Sequence, residues 1–172
     1  MGKNKLKHIP NILTVLRLLS IPVMAYWMLS GKWLESLVLF VLAEFTDILD
    51  GYIARRFGFI SSFGKLADPL ADKLLQLTAI FLLARDGRIQ IYFFCILALK
   101  ELAMIIGSLF FLRKDIVVSS NWIGKAAAAV LFAGIVLAFL NITAASYLLW
   151  IGIVVSITAA GFYLKGYIKE IK

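Results

Sequence analysis

Apolar residues run along the chain in six stretches, roughly 10–30, 34–56, 65–84, 91–112, 122–140 and 144–164. Each is close to the ~20 residues that a helix needs to cross the hydrocarbon core of a bilayer. The connections are short, Pro and Gly punctuation is sparse, and neither low-complexity tracts nor a usable repeat interrupts the pattern. The pattern predicts an all-α, polytopic membrane protein with six transmembrane helices, built as a single domain over residues 1–172 without a linker. The basic start "MGKNKLKHIPN" is like that of a signal peptide, but no small-residue cleavage site follows the apolar run. An uncleaved first span is expected, with a short interfacial helix ahead of it.

Composition agrees: 62% of residues are hydrophobic and the mean hydropathy is +0.94, against roughly 45–50% apolar residues in ordinary soluble domains. The charges then orient the spans. Lys3, Lys5, Lys7, Arg55, Arg56, Lys65, Arg113, Lys114, Lys125, Lys165, Lys169 and Lys172 fall on one side, against Lys32, Arg85 and Arg88 on the other. The positive-inside rule puts both termini in the cytoplasm, as an even number of spans requires. A net charge of +8 is explained by this topology and by attraction to anionic lipid, so no nucleic-acid partner is invoked. Cys95 and His8 are each the only residue of their type, which excludes an internal disulfide and a Cys/His metal cluster. The tryptophans and Tyr26 and Tyr147 lie mostly near span ends, as an interfacial aromatic belt does.

One segment breaks the apolar rule. Residues 47–73, "DILDGYIARRFGFISSFGKLADPLADK", bring four aspartates to the end of the second span and the start of the third. Asp47 and Asp50 are three residues apart and Asp68 and Asp72 four apart, spacings that share a helix face. "FGFISS" between them suits a turn that returns the chain antiparallel, so the four acids can converge near the cytoplasmic mouth of a helix pair. An acid at mid-membrane costs about 2.5–3.5 kcal/mol on insertion scales; four without partners cost on the order of 10, comparable with the stability of a whole domain. Arg55, Arg56, Lys65 and Lys73 are placed to pair with some of them. Converging carboxylates without Cys or His also form the ligand set of a hard divalent cation, Mg2+ or Mn2+. Two such ions make a clamp for phosphoryl transfer. Gly51, Ala54 and Gly64 are small enough for a ligand or a neighbouring helix to approach the backbone, and Arg55 can grip a phosphate through two nitrogens. Glu44, three residues before Asp47, either tunes the metal ligands or pairs with a nearby cation.

Read as D-x2-D-G-x2-A-R-x8-G-x3-D-x3-D from Asp47 to Asp72, this segment resembles the signature of the CDP-alcohol phosphatidyltransferase family at all eight defined positions. The resemblance implies transfer of a phosphatidyl group from CDP-diacylglycerol to an alcohol with release of CMP. It implies Asp47, Asp50, Asp68 and Asp72 as metal ligands, for two Mg2+ or Mn2+ ions, with Asp72 also proposed as general base, its alternative being a metal-bound water. Gly51, Ala54, Arg55 and Gly64 fall where the family contacts the cytidine and diphosphate, with Ser61 added. Upstream, "NILTVLR" is similar to the N-x2-T-x2-R stretch of bacterial phosphatidylglycerophosphate synthases, which implies that Asn11, Thr14 and Arg17 join the same pocket. Members are often homodimers, so a dimer is implied as well.

The acceptor is read from the remaining cations. Lys100, Arg113 and Lys125 are candidates to receive an anionic alcohol such as glycerol 3-phosphate, while Lys100 and Glu101 inside the fourth span are equally suited to pair with each other. Three features depart from the synthase pattern: Lys100-Glu101 stands where Arg-Glu is usual, Ser108 stands where another Arg follows two turns on, and "GKAAAA" at 124–129 keeps Lys125 but lacks the second lysine and threonine. A cardiolipin synthase of the same family, with phosphatidylglycerol as acceptor, is the alternative. A membrane prenyltransferase is expected to carry its Asp motifs in two distant halves. A small transporter is expected to spread its acids along a path through the bilayer. Neither expectation matches one cluster on the cytoplasmic side.

Overall fold

The computed structural model describes the backbone of residues 9–57, 62–112 and 122–171, and the side chains of residues 11–49, 51, 67–107 and 122–162. Among the described residues the chain is all-helical, with six α-helices and no strand: α1 (Ile9–Leu29), α2 (Trp33–Phe57), α3 (Ser62–Arg85), α4 (Ile91–Leu112), α5 (Trp122–Phe139) and α6 (Ala144–Ile171). Each coincides with one apolar stretch to within a few residues except α6, which runs on past the expected end at 164. Lys and Glu end the apolar run there, but both favour helix, so charge stops the hydrophobic pattern without stopping the backbone. The expected N-terminal interfacial helix and the "FGFISS" turn lie wholly or mostly outside the described residues.

Among the described residues, three helices are long and apolar enough to cross a membrane by length and composition: Asn11–Leu29, Trp122–Phe139 and Ala144–Phe162. In α2, Glu35, Glu44, Asp47 and Asp50 dilute the apolar run, as do Asp68, Asp72 and Lys73 in α3. The helices that carry the aspartates are thus the two with the most charged residues.

Three connections are tight, and each is closed in the same way. After α1, Gly31 N–H donates to the Met28 carbonyl (3.1 Å) and Lys32 N–H to that of Trp27 (2.9 Å). Gly87 and Arg88 repeat the pattern onto Ala84 and Leu83 after α3, and Asn141 and Ile142 onto Ala138 and Leu137 after α5. The pivot residue is left-handed each time, with φ of 76° at Gly31, 77° at Gly87 and 55° at Asn141. Glycine and asparagine are the residues that accept this conformation at a helix C-terminus, where it satisfies carbonyls that would otherwise lack partners.

The chain divides into two compact units, Met1–Leu82 and Leu83–Lys172. In the first, α1 packs along α2 through Met24, Met28, Leu37, Phe40 and Ala43, all buried. On α3, Ala67, Ala71, Leu75 and Ala79 form a buried row at four-residue spacing, and small residues in such a row allow close helix approach. The row one position on, Asp68, Asp72 and Gln76, is thereby held along the adjacent face.

In the second unit α5 and α6 form a closely packed hairpin. A Cβ added to Gly134 would meet Leu149 Cδ2 at 2.9 Å, and one added to Gly152 would meet Leu131 Cδ2 at 2.7 Å, with a backbone nitrogen of the facing helix 3.2 Å away in both cases. Each glycine is thus the socket for a leucine of the other helix. Arg88 Nη1 donates to the Phe139 carbonyl at the end of α5 (2.8 Å), where a cation favours the helix dipole. Tyr92 and Phe93 on α4 pack their rings on Trp150 of α6, with centroids 5.4 and 5.3 Å apart.

Gly152→Val should lower the stability of this hairpin by about 1–3 kcal/mol, the usual cost of overpacking, because the Leu131 backbone cannot withdraw as a side chain can. Gly107→Ala, with nothing within 4 Å of the added Cβ, should stay within about 1 kcal/mol of the parent. Thermal unfolding of the two purified variants in detergent micelles measures both.

Candidate functional site

The site is assembled within the first unit by the three helices α1, α2 and α3. On α1, Thr14 and Arg17 are three residues apart and therefore share a face, and both are fully buried side chains. Burying a guanidinium is costly unless it meets a carboxylate. Arg17 Nη1 donates to Asp47 Oδ1 on α2, forming an ion pair in which the arginine side chain is 0% exposed and the aspartate 36%. Thr14 Oγ1 donates to Asp68 Oδ1 on α3. One turn of α1 thus reaches the first acid of each aspartate pair.

The last acid is held from α3 itself. Gln76 Nε2 donates to Asp72 Oδ1 at 2.8 Å, and Lys73 Nζ lies 3.2 Å from Asp72 Oδ2. The same Nε2 donates to Glu44 Oε1 on α2 at 3.2 Å. Glu44, for which the sequence left two roles open, therefore has an amide as its partner here. Gln76 was not foreseen at all; its signal was the four-residue step from Asp72 that continues the Asp68–Asp72 face. Pro69, directly after Asp68, has no N–H and removes one bond from the α3 ladder at this point.

The structure brings together Thr14, Arg17, Asp47, Asp68 and Asp72 from the sequence-predicted set. Asn11 lies one turn before Thr14 and lines a shallow open depression with Ile12, Val15 and Leu16. Asp50 is on α2 one turn after Asp47, and Gly51 follows it, half-buried; the Asp50 side chain lies outside the described residues. Ala54 and Arg55 on α2, and Gly64 on α3, have described backbone only, and Ser61 is outside the described residues. Of the acceptor candidates, Lys100 is in the second unit, with Nζ 2.6 Å from Glu101 Oε1 and donating to Ser156 Oγ at 2.7 Å. Lys125 is exposed, its Nζ 5.3 Å from the centroid of the Trp122 ring. Arg113 lies outside the described residues.

As a donor set, Asp47, Asp68 and Asp72 offer oxygen only, which fits a hard divalent cation. Among the described residues no three His, Cys, Asp or Glu side chains stand close enough to hold an ion in this arrangement, and each of the three acids is met by a nitrogen or hydroxyl donor. The residues fit such an ion by chemistry, and Asp50 is the fourth acid that the spacing places with them.

A family model described as CDP-alcohol phosphatidyltransferase matches residues 7–158 of the chain. The CDP-diacylglycerol--glycerol-3-phosphate 3-phosphatidyltransferase of Rickettsia typhi is 43% identical over 97 residues, which are 54% of this chain and 54% of the relative. The chain thus spans about half the length of the Rickettsia relatives it matches. A protein of the same name from Aquifex aeolicus is 31% identical over 121 residues, 69% of this chain and 67% of the relative. That of Bacillus subtilis is 27% identical over 181 residues, 92% and 94% of the two chains.

Arg17→Leu leaves Asp47 without its ion-pair partner and should cost on the order of 2 kcal/mol, less than the 3–5 of a fully buried pair because the aspartate is part exposed. Replacing both residues by leucine should return most of that stability. Thermal unfolding of the single and double variants distinguishes the pair from simple packing of α1.

Proposed function

We propose that the chain, which belongs to the CDP-alcohol phosphatidyltransferase family, is a membrane enzyme that transfers the phosphatidyl group of CDP-diacylglycerol to glycerol 3-phosphate, releasing CMP and forming phosphatidylglycerophosphate. The observation that carries the reading is the meeting of Asp47 and Asp68 with Arg17 and Thr14 of α1, beside Asp72. The upstream N-x2-T-x2-R stretch and the aspartate signature are thereby parts of one site. The names of the relatives support the glycerol 3-phosphate acceptor.

Two Mg2+ or Mn2+ ions, held by Asp47, Asp50, Asp68 and Asp72, would supply charge neutralisation to the diphosphate. Asp72 accepts the proton of the attacking hydroxyl, which a carboxylate within reach can do as general base. The new bond joins the acceptor oxygen to the phosphorus that bears the diacylglycerol; the bond from that phosphorus to the bridging oxygen breaks, and CMP leaves with its electron pair. Arg55, one turn beyond Asp50–Gly51, binds the phosphate oxygens with its planar fork, and Asn11, Thr14, Arg17, Gly51, Ala54, Ser61 and Gly64 shape the nucleotide end. Lys100, Arg113 and Lys125 receive the acceptor phosphate. The charge asymmetry of the loops supports cytoplasmic termini and a cytoplasmic site, and the family resemblance supports a homodimer.

A second reading within the family is favoured by one observation. Lys100 is neutralised by Glu101 at 2.6 Å, which leaves less positive charge for a free phosphomonoester and suits phosphatidylglycerol as acceptor, the substrate of a cardiolipin synthase.

The test incubates purified chain with CDP-diacylglycerol and Mg2+ or Mn2+, offers glycerol 3-phosphate, phosphatidylglycerol, serine or inositol phosphate separately, and measures CMP and the lipid product. Release with glycerol 3-phosphate is expected, abolished by EDTA and reduced at least about 1,000-fold by Asp50→Asn or Asp72→Asn, as for groups on which the chemistry depends. Release with phosphatidylglycerol alone would select the second reading. Full activity in both Asn variants would refute the roles given to these acids.

A further inference from the structure

Gln76 stands between two carboxylates of different helices, Asp72 Oδ1 at 2.8 Å on its own helix and Glu44 Oε1 at 3.2 Å on α2. An ionised carboxylate only accepts hydrogen bonds, whereas the side-chain amide carries two hydrogens on Nε2. The NH2 end is therefore the end that satisfies both, and the orientation of the amide follows from its neighbours. Neither Gln76 nor Glu44 belongs to the aspartate signature. Asp72 has Lys73 on its other oxygen, 3.2 Å from Oδ2, so its carboxylate is held at both ends. The two holds differ in kind. Lys73 offers a compact point charge on a four-carbon stem, while Gln76 is one helical turn along the same face as Asp72 and also bonds Glu44 on α2.

We propose that Gln76 is a positioning residue for Asp72, and that Glu44 acts as its anchor on α2, fixing the carboxylate in the orientation that metal binding and transfer require. The inference rests on the function proposed above and extends it to two residues outside the signature. Loss of the amide has two separable effects. Glu44 becomes a part-buried acid without its donor, which lowers stability, and Asp72 is freed to swing toward Lys73, which lowers function. Replacing Glu44 as well removes the first effect and leaves the second.

The test compares the full-length parent, Gln76→Leu and Glu44→Leu/Gln76→Leu in detergent, reading thermal unfolding, kcat and KM with CDP-diacylglycerol and glycerol 3-phosphate, and Mn2+ affinity by titration calorimetry. Partners that orient a metal-ligating group are worth about 10- to 100-fold in metal affinity or activity. Gln76→Leu should therefore lower kcat about tenfold or more, with each KM within about twofold, and weaken Mn2+ binding about tenfold. The double variant should recover the unfolding temperature of the parent but neither kcat nor Mn2+ affinity. If Gln76→Leu does not fold, the double variant alone decides. Recovery of kcat and Mn2+ affinity together with stability would overturn the proposal and leave Gln76 a structural neutraliser of Glu44; so would parent-like values in Gln76→Leu. A parent that releases no CMP with any acceptor but binds Mn2+ would refute the proposed function, and the calorimetric comparison would still decide the role of Gln76. A parent with neither activity nor Mn2+ binding would overturn both.

Discussion

An ionised carboxylate in an apolar helix must be met by something, because leaving it bare costs about 2.5–3.5 kcal/mol at the membrane centre. The first unit is organised by that requirement. Asp47, Asp68 and Asp72 are each met by a donor, Arg17, Thr14 and Gln76 respectively, and the donors come from α1 and α3. The hydrophobic core of α1 and α2 would hold with many side chains of similar volume. The hydrogen bonds to the acids have no such latitude, since each needs a particular donor at a particular step along its helix.

These bonds also tie the register of the helices to the chemistry. The buried alanine row of α3, Ala67, Ala71 and Ala79 with Leu75, allows a neighbour to come close, and the adjacent row presents Asp68, Asp72 and Gln76. A one-residue rotation of α3 would bury the acids and expose the alanines. The acids and the small residues beside them therefore specify one orientation of the helix. The second unit, taken by itself, meets the same solvent with other means. Its close contact is between apolar faces, with Gly134 and Gly152 each receiving a leucine, and the part-buried Lys100 and Glu101 pair with each other, with Ser156 alongside.

The helices were legible because a run of about 20 apolar residues has few other uses. Their ends were less so, as α6 shows: helix propensity carries the backbone beyond the last apolar residue. The aspartates were legible because charge in an apolar run is expensive and their spacing places them on one face. What meets them was only half legible. Thr14 and Arg17 were placed in the pocket by resemblance, and the structure adds that they touch Asp68 and Asp47 themselves. Gln76 escaped notice because a neutral amide in a span carries no charge to attract attention; Glu44 was singled out, with tuning of the metal ligands and pairing with a cation both left open, but its amide partner was not. For Lys100 the sequence left acceptor binding and pairing with Glu101 open, since adjacent residues of opposite charge suit both; in the structure the pair is made.

We propose above that the acids of α2 and α3 together hold a pair of divalent ions. Electron paramagnetic resonance of the purified chain loaded with Mn2+ distinguishes the cases, because two ions sharing one carboxylate site would give an exchange-coupled spectrum and isolated ions a simple six-line one. Two bound Mn2+ per chain are expected, with an exchange-coupled spectrum that is lost in Asp68→Asn. A single uncoupled ion, or binding that survives the substitution, would contradict the proposal.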